Sequence, residues 1–374
     1  MRGKVKPKMS ASAYLQKAFL LAGKADPKKI RPNPFVGALV VSKEGQVLGE
    51  GYHEKAGEAH AEVIAINNAI IHGADLSTCT LYVTLEPCSH TGKTPPCTDL
   101  IIKHRIPRVV IGSMDPNPLV SGASILKDKG IAVEVHPLKE IVEMNDTFNI
   151  NQQLKRPKYI LKSAITLNGK IADRFGESKW ISNEQSRAHV HEHLRERADA
   201  ILTTAKTVIR DNATMNIRIK DQIEEELNLI VFDKNLDLLK KENHQLSIFY
   251  KRNSSKIYLV TDMAETTTLP NVETISIPIN DGKFDLEMLH KELIERNICQ
   301  VLIEAGGSMN ASMMEAKAVD EIYTFLCPRI LMDNAAINLF NSNQTQTMDN
   351  TVKLQLMESM TIGEDILLRH RVIH

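Results

Sequence analysis

Short β-branched runs alternating with helix-length stretches constrain this chain more than any other feature. Through about residue 136 the order is helix 11–23, strand Phe35–Val41, strand Gln46–Tyr52, helix 60–72, strand Thr80–Leu85, helix 98–105, strand Arg108–Met114, helix 122–129 and strand Ile131–Val135. Strands this short, separated by helices, predict an α/β sandwich around a largely parallel sheet. The polar stretch Asn145–Lys158, with Pro157 near its end, predicts a boundary and hence domains 1–148 and 149–374. A chain of 374 residues is long enough for two cores. Alternation then resumes with strand Tyr159–Thr166, helix 183–197, strands Ala200–Thr203, Leu229–Phe232 and Ile257–Val260, helix 285–296, strand Gln300–Glu304, a helix opened by Gly306-Gly307, and strand Glu321–Leu326. That order predicts a second α/β domain, with segment 234–256 as a surface connection. No G-x-G-x-x-G follows its first strand, so the standard dinucleotide fingerprint is absent.

The chemistry-bearing residues fall in two short segments. His60-Ala61-Glu62 opens a helix, and Pro87-Cys88 leaves a strand and reaches Cys97 at the start of another helix. A catalytic zinc takes three protein ligands and keeps a fourth position open for water, whose pKa it lowers. His60, Cys88 and Cys97 supply one imidazole and two thiolates. Both cysteines sit beside prolines and helix starts, where thiolates are favoured. Glu62, two residues beyond the imidazole, can reach the same cavity without coordinating, as the proton carrier of a hydrolytic deaminase must. The general deaminase pattern is H-x-E…P-C-x-x-C. Here the spacing between the cysteines is longer, a departure from that pattern.

Lys plus Arg and Asp plus Glu both number 46. A chain that grips phosphate backbones shows a basic excess, so the expected partner is a small molecule rather than nucleic acid. The N-terminal stretch is broken by Gln16 and Lys17 and reads as an amphipathic helix capped near Ser10 or Ser12, not a signal peptide. No window reaches the length of a membrane span, so no membrane partner and a cytoplasmic location are expected. The five cysteines are odd in number and unevenly placed, which favours free thiols and metal ligands over disulfides.

Pro32-Asn33-Pro34-Phe35-Val36-Gly37, Gly51-Tyr52-His53…Ala56-Gly57…His60-Ala61-Glu62, Leu85 to Cys97 and Asp115-Pro116-Asn117-Pro118 together resemble the bifunctional pyrimidine deaminase–reductase family of riboflavin biosynthesis. The long cysteine spacing is that family's form. The resemblance implies a cytidine-deaminase-like α/β/α sandwich at the N-terminus. Its substrate would be a small phosphorylated pyrimidine, 2,5-diamino-6-(5-phosphoribosylamino)pyrimidin-4-one, which loses its 2-amino group with Zn2+ at His60, Cys88 and Cys97 and Glu62 as proton shuttle. Asn33, His53, Lys93 and Asn117 are the substrate-binding candidates. Asn33 and Asn117 could equally stabilise turns, Lys93 could be a solvated loop residue, and His53 a satisfied strand-end histidine.

In the second half, Glu304-Ala305-Gly306-Gly307 ends a strand and opens a helix, a place where phosphate can approach helix N–H groups or where a turn simply needs glycine. Lys162-Ser163-Ala164…Leu167-Asn168-Gly169-Lys170, Gly176 to Ser182, Asp199 to Leu202 and Thr207-Val208…Asp211 resemble the reductase half of the same family. This implies a dihydrofolate-reductase-like α/β domain that reduces the ribosyl chain to ribityl with NADPH. By position, Ala164, Trp180, Thr207, Asp211, Gly306 and Gly307 would touch the cofactor. Ser178, Arg195, Met215, Arg218 and Glu304 would touch the substrate, the arginines as phosphate partners. A homo-oligomer, a dimer through the second domain, is implied as well.

Several residues depart from that pattern: Asn168 stands where the family has Asp, Thr204 where Gly is frequent, and Asn212-Ala213 in place of Asp-Pro, while helix 183–198 carries an added residue. They leave room for a weakened reductase. His189, His191 and His193 read as a solvated or packed helix face rather than a second metal site, since only 189 and 193 share a face. Trp180, the only tryptophan, is either a core anchor or a stacking surface. Competing readings are a nucleobase, nucleoside or tRNA deaminase with an appended domain, and a second half kept only to bind.

Overall fold

The computed structural model describes residues 9–90, 95–219, 222–252, 254–345 and 347–374, with only the backbone considered at 219 and 222–225. It contains two compact units that divide between Lys155 and Arg156.

In the first unit, Ser10 caps helix α1 (Ala11–Ala22) by accepting the Ala13 amide at 3.2 Å. Strands β1 (Gly37–Val41) and β2 (Val47–Tyr52) form a hairpin, followed by α2 (Ala61–Ile71), β3 (Thr80–Val83), α3 (Cys97–Lys103), β4 (Arg108–Ile111), α4 (Gly122–Asp128) and β5 (Ala132–Val135). The sheet order is β2-β1-β3-β4-β5. Only β3, β4 and β5 run parallel, because the tight β1–β2 connection forces antiparallel pairing and β1 also pairs antiparallel to β3. The sheet is therefore mixed, not largely parallel as the alternation suggested.

Strand residues alternate between two buried faces. Ala38, Val40, Leu81, Val83, Val109 and Ile111 join Ala65, Ile66 and Ala69 of α2, while Leu39, Val41, Tyr82 and Val110 meet Tyr14, Leu15 and Ala18 of α1. Burial on both sides explains why these strands read as unbroken apolar runs. The polar stretch read as a boundary contains helix α6 (Asp146–Leu154), preceded by α5 (Lys139–Met144). Asn145 between them is buried, and its side chain accepts the Phe35 amide at 2.8 Å and donates to the Phe35 carbonyl at 3.0 Å.

The second unit holds a nine-stranded sheet. Its strands are β6 (Lys158–Thr166), β7 (Ala200–Thr204), β8 (Asn228–Phe232), β9 (Ile257–Thr261), β10 (Val272–Ser276), β11 (Gln300–Ile303), β12 (Val319–Cys327), β13 (Lys353–Ile362) and β14 (Asp365–Ile373), in the order β10-β9-β8-β7-β11-β6-β12-β14-β13. The strands from β10 to β12 are parallel, and the β13–β14 hairpin adds antiparallel at one edge. Helices α7 (Glu184–His189), α8 (Ala205–Asp211), α9 (Leu286–Glu295) and α10 (Gly307–Glu315) connect them. Within 234–252 short helical turns form at Asp237–Leu239, Lys241–Asn243 and Ser247–Tyr250, and their Leu238 and Ile248 are fully buried, so this connection also contributes to the core.

Lys158, Glu321 and Arg369 tie three adjacent strands together. Glu321 accepts Lys158 Nζ at 2.7 Å and Arg369 Nε at 2.9 Å. Burial alone would raise this carboxyl, but Lys158 and Arg369 outweigh it and hold it at about 2, against an ordinary 4.5. A depressed carboxyl stabilises the fold fully above its unfolded value and loses that contribution as pH falls through the folded one. Urea denaturation should therefore show on the order of 3 kcal/mol disappearing between about pH 5 and pH 2. Glu321→Gln should flatten that slope; an unchanged slope would exclude this residue as its source.

Candidate active sites

Backbone ends place the first cluster. His60 is the N-cap of α2 and carries no side-chain capping bond, so its ring is available. Cys97 is the first residue of α3, and Cys88 lies in the connection leaving β3. Their ligand atoms all fall within 4.8 Å of one another. Nδ1 of His60 is 3.3 Å from Cys97 Sγ and 3.5 Å from Cys88 Sγ, while the Cys97 amide donates to Cys88 Sγ at 3.3 Å. The Cys97 thiol hydrogen bond and His60 pull Cys88 down to about 4, and the same bond pushes Cys97 up. Two converging sulfurs with one imidazole make a donor set that suits zinc. Among the described residues, this is the one group of three or more such side chains that could hold a metal.

Glu62, in the first turn of α2, is 3 % exposed, and burial raises its pKa. A carboxyl that holds its proton less weakly than usual, beside a polarising centre, is suited to taking and returning protons. Asn33 Nδ2 lies 2.9 Å from His53 Nε2, and His53 Nδ1 lies 3.0 Å from the Ala59 carbonyl. Because a carbonyl only accepts, the neutral ring carries its proton on Nδ1 and accepts the Asn33 amide at Nε2. Both ring nitrogens are thus engaged within the protein, and His53 acts on Asn33 rather than offering a free donor. Asn117 Oδ1 accepts the Leu119 amide at 3.1 Å, and its own amide donates to Asp115 at 2.8 Å, so it builds a turn. Lys93 lies outside the described residues.

Glu86 has a role that the sequence reading missed. Buried at the end of β3, it accepts the Ala123 amide at 2.8 Å and the Asp115 amide at 3.3 Å, so it fastens the start of α4 and the 115–118 turn beside the cysteines. A carboxylate following an apolar strand was the available signal. Gly122 completes this approach, because a Cβ there would stand 1.9 Å from the Pro87 carbonyl.

The second cluster gathers at the carboxyl ends of the central parallel strands, where open α/β sheets bind ligands. Glu304 follows β11 and takes a bidentate pair from Arg195, Nε at 2.7 Å and Nη2 at 2.8 Å. Arg195 Nη1 also donates to the Asn216 carbonyl at 2.6 Å. Burial opposes ionisation of Glu304, but Arg195 and then Lys162 hold it at about 2. The helix carrying Arg195 widens into a π turn over Val190–Arg195, from which Arg195 reaches Glu304.

Lys162, on β6, was not singled out from sequence as a site residue. Its ammonium lies 5.7 Å from the Phe325 ring centroid and feels Glu304, and burial pulls it below the ordinary lysine value. Met215 is buried, with φ at +49°, and its carbonyl accepts the Arg252 guanidinium at 2.8 Å. Arg218 is exposed, and Ser178 and Ala164 are half-buried.

Of the cofactor candidates, Gly306 has open space where a Cβ would project and begins α10 without a side-chain cap. That is a fit for an anionic cofactor group at a helix N-terminus. Gly307 is required differently, since a Cβ there would meet the Asn338 carbonyl at 2.3 Å. Thr207 sits in the first turn of α8, its amide bonded to Thr204, and Asp211 pairs with Arg210 at 3.0 Å. Trp180 is 58 % exposed with Arg187 stacked 4.3 Å away, so it is not a core anchor.

The departing residues are locally satisfied. Asn168 bonds Thr166 at 2.8 Å and both backbone groups of Leu331. Thr204 caps α8, and Asn212, at φ +43°, accepts the Ser247 amide at 2.7 Å.

Residues 8–113 match the family model for the cytidine and deoxycytidylate deaminase zinc-binding region, and residues 157–368 match the RibD C-terminal domain. The riboflavin biosynthesis protein RibD of Actinobacillus pleuropneumoniae is 38% identical over 367 residues, 96% of this chain and 95% of its own. RibD of Escherichia coli K12 is 31% identical over 370 residues, covering 96% and 99%. The crystal structure of a diaminohydroxyphosphoribosylaminopyrimidine deaminase/5-amino-6-(5-phosphoribosylamino)uracil reductase from Thermotoga maritima superposes with a TM-score of 0.82 at 33% identity, covering 97% of this chain and 99% of that one.

Proposed function

The chain belongs to the RibD family of riboflavin biosynthesis proteins, and from that premise we propose which of its residues carry each reaction. It is a bifunctional enzyme, a deaminase and a reductase. The observation that carries the assignment of the first centre is the convergence of His60, Cys88 and Cys97 beside buried Glu62.

In the first reaction the 2-amino group of the diaminopyrimidinone ribosyl phosphate is exchanged for oxygen. His60, Cys88 and Cys97 would hold zinc, which would supply the Lewis acidity that makes water reactive near neutrality. Glu62 would take a proton from the attacking water and deliver it to the ring nitrogen beside the carbon under attack. It would then take the proton of the newly added hydroxyl and pass it to the amine, so that the hydroxyl becomes the carbonyl and ammonia leaves. Asn33, oriented by His53, binds the base, while the 115–118 turn fastened by Glu86 shapes the cavity wall.

In the second reaction the ribosyl chain of the deaminated product is opened and reduced. Bound NADPH would supply the hydride, with no protein nucleophile required. Gly306, which leaves open space at the start of α10, would seat the cofactor together with Ala164, Thr207 and Trp180. Glu304 and Arg195, locked as a pair, fix the substrate, and Ser178, Met215 and Arg218 line its path. Lys162, buried beside Glu304, would protonate the ribosyl oxygen as hydride reaches C1′ and the C1′–O bond breaks, so the ring oxygen becomes a hydroxyl.

Mass spectrometry of the diaminopyrimidinone ribosyl phosphate tests both assignments. Zinc-loaded protein should convert amine to oxo without cofactor and add two hydrogens only with NADPH. Chelation should abolish the first change while the deaminated intermediate is still reduced; loss of both together would contradict separate centres.

The protein is further proposed to self-associate through β13 and to work in the cytoplasm. Among the described residues strand β13 pairs only with β14, with Leu354 and Leu356 about half exposed and Met360 partly exposed. Sedimentation should give twice the chain mass, reduced to the chain mass by Leu356→Lys. No helix among the described residues is long and apolar enough to cross a membrane.

A further inference from the structure

His191 lies four residues before Arg195 on the π turn. Its Nδ1 accepts the backbone amide of Arg218 at 3.0 Å. A ring nitrogen that accepts an N–H carries no proton of its own, so the neutral ring has its proton on Nε2. The fold thereby sets the tautomer, and Nε2–H is a donor with no protein acceptor among the described residues. Burial, then Arg195, drives the imidazole pKa down to about 4, with Arg218 and Lys162 also depressing it and Glu304 opposing. The ring is therefore uncharged near neutrality.

Three cations and one carboxylate surround this donor. Arg195 is neutralised by Glu304 and also bonded to Asn216, which leaves the charge of Arg218 and Lys162 uncompensated within the cluster. A surplus of positive charge favours an anion, and a fixed neutral donor adds a hydrogen bond to that anion without adding further charge.

We propose that His191 is a substrate-binding residue of the reductase centre, donating Nε2–H to the phosphate of the ribosyl phosphate substrate. This rests on the reductase reading given above. It changes the standing of His191 from a helix-face residue to one that senses whether the sugar is phosphorylated.

The test is steady-state kinetics of the full chain with His191→Gln, His191→Asn and His191→Ala. The deaminated ribosyl phosphate is the substrate, and its dephosphorylated riboside is assayed as substrate or competitive inhibitor. A glutamine amide can place N–H near the Nε2 position, whereas asparagine replaces only the Nδ1 acceptor. Asn and Ala should raise KM for the phosphorylated substrate roughly tenfold or more, with kcat nearly unchanged, because a hydrogen bond to a charged group is lost. Gln should remain within about threefold of the parent, and the riboside constants should not move.

Equal losses on both substrates, full function in the Asn variant, or no change in any variant would overturn the proposal. NADPH affinity and melting temperature monitor folding, and should Ala fail to fold, the Gln–Asn contrast still decides. A parent chain that reduces neither compound would overturn the reductase reading itself.

Discussion

Glu62→Gln is expected to cut deaminase turnover by about 10²- to 10⁴-fold while one zinc per chain is retained. The amide fills the same buried space at the start of α2, so the proposed metal donors His60, Cys88 and Cys97 should keep their places. What disappears is the ability to take a proton from water and return it to the ring and the amine. Zinc measured by elemental analysis and turnover measured by ammonia release separate the two roles. Robust turnover in this variant would remove Glu62 from the mechanism. Cys88→Ser provides the contrasting case, since it should lose zinc and deamination together.

Glu304→Ala should abolish reduction and destabilise the second unit. Arg195 would remain largely buried with its partner gone, and breaking such a pair costs about 3–5 kcal/mol. Loss of the bidentate clamp also frees the guanidinium to move, and a displacement of about 1 Å at a site of this kind can cost 10²-fold in rate. Glu304→Gln keeps the shape and one acceptor, so it should fall between the parent and Ala in urea denaturation. Deamination should be untouched in both variants. Equal stability of Glu304→Ala and the parent would mean that Arg195 finds water or another acceptor, and the clamp would lose its assigned importance.

The two centres differ in how much of them could be read from the chain. The proposed zinc donors and Glu62 lie in two segments whose local motifs, a His at a helix start and cysteines flanking a turn, already point to their chemistry. The reductase cluster has no such compactness. Arg195 and Glu304 meet across 109 residues of sequence because β7 and β11 are neighbours in the sheet. No residue pattern announces that adjacency, and Lys162 and His191 acquire meaning only through it. The central strands were legible because burial on both faces makes them unbroken apolar runs. Strand β13, KLQLMESMTI, was not, since an exposed edge needs no apolar run. Helix α6 read as a linker for a related reason: none of its residues is buried, so it carries no apolar stripe.

The π turn at Val190–Arg195 has a consequence for how this helix can vary in length. An extra residue in a regular α-helix turns everything beyond it by roughly 100° about the axis. Here the widened turn is the last of the helix, with Arg195 at its end, so a residue added before it can be taken up as wider backbone rather than as rotation of Arg195. Length variation upstream of the clamp is thereby uncoupled from the clamp's direction.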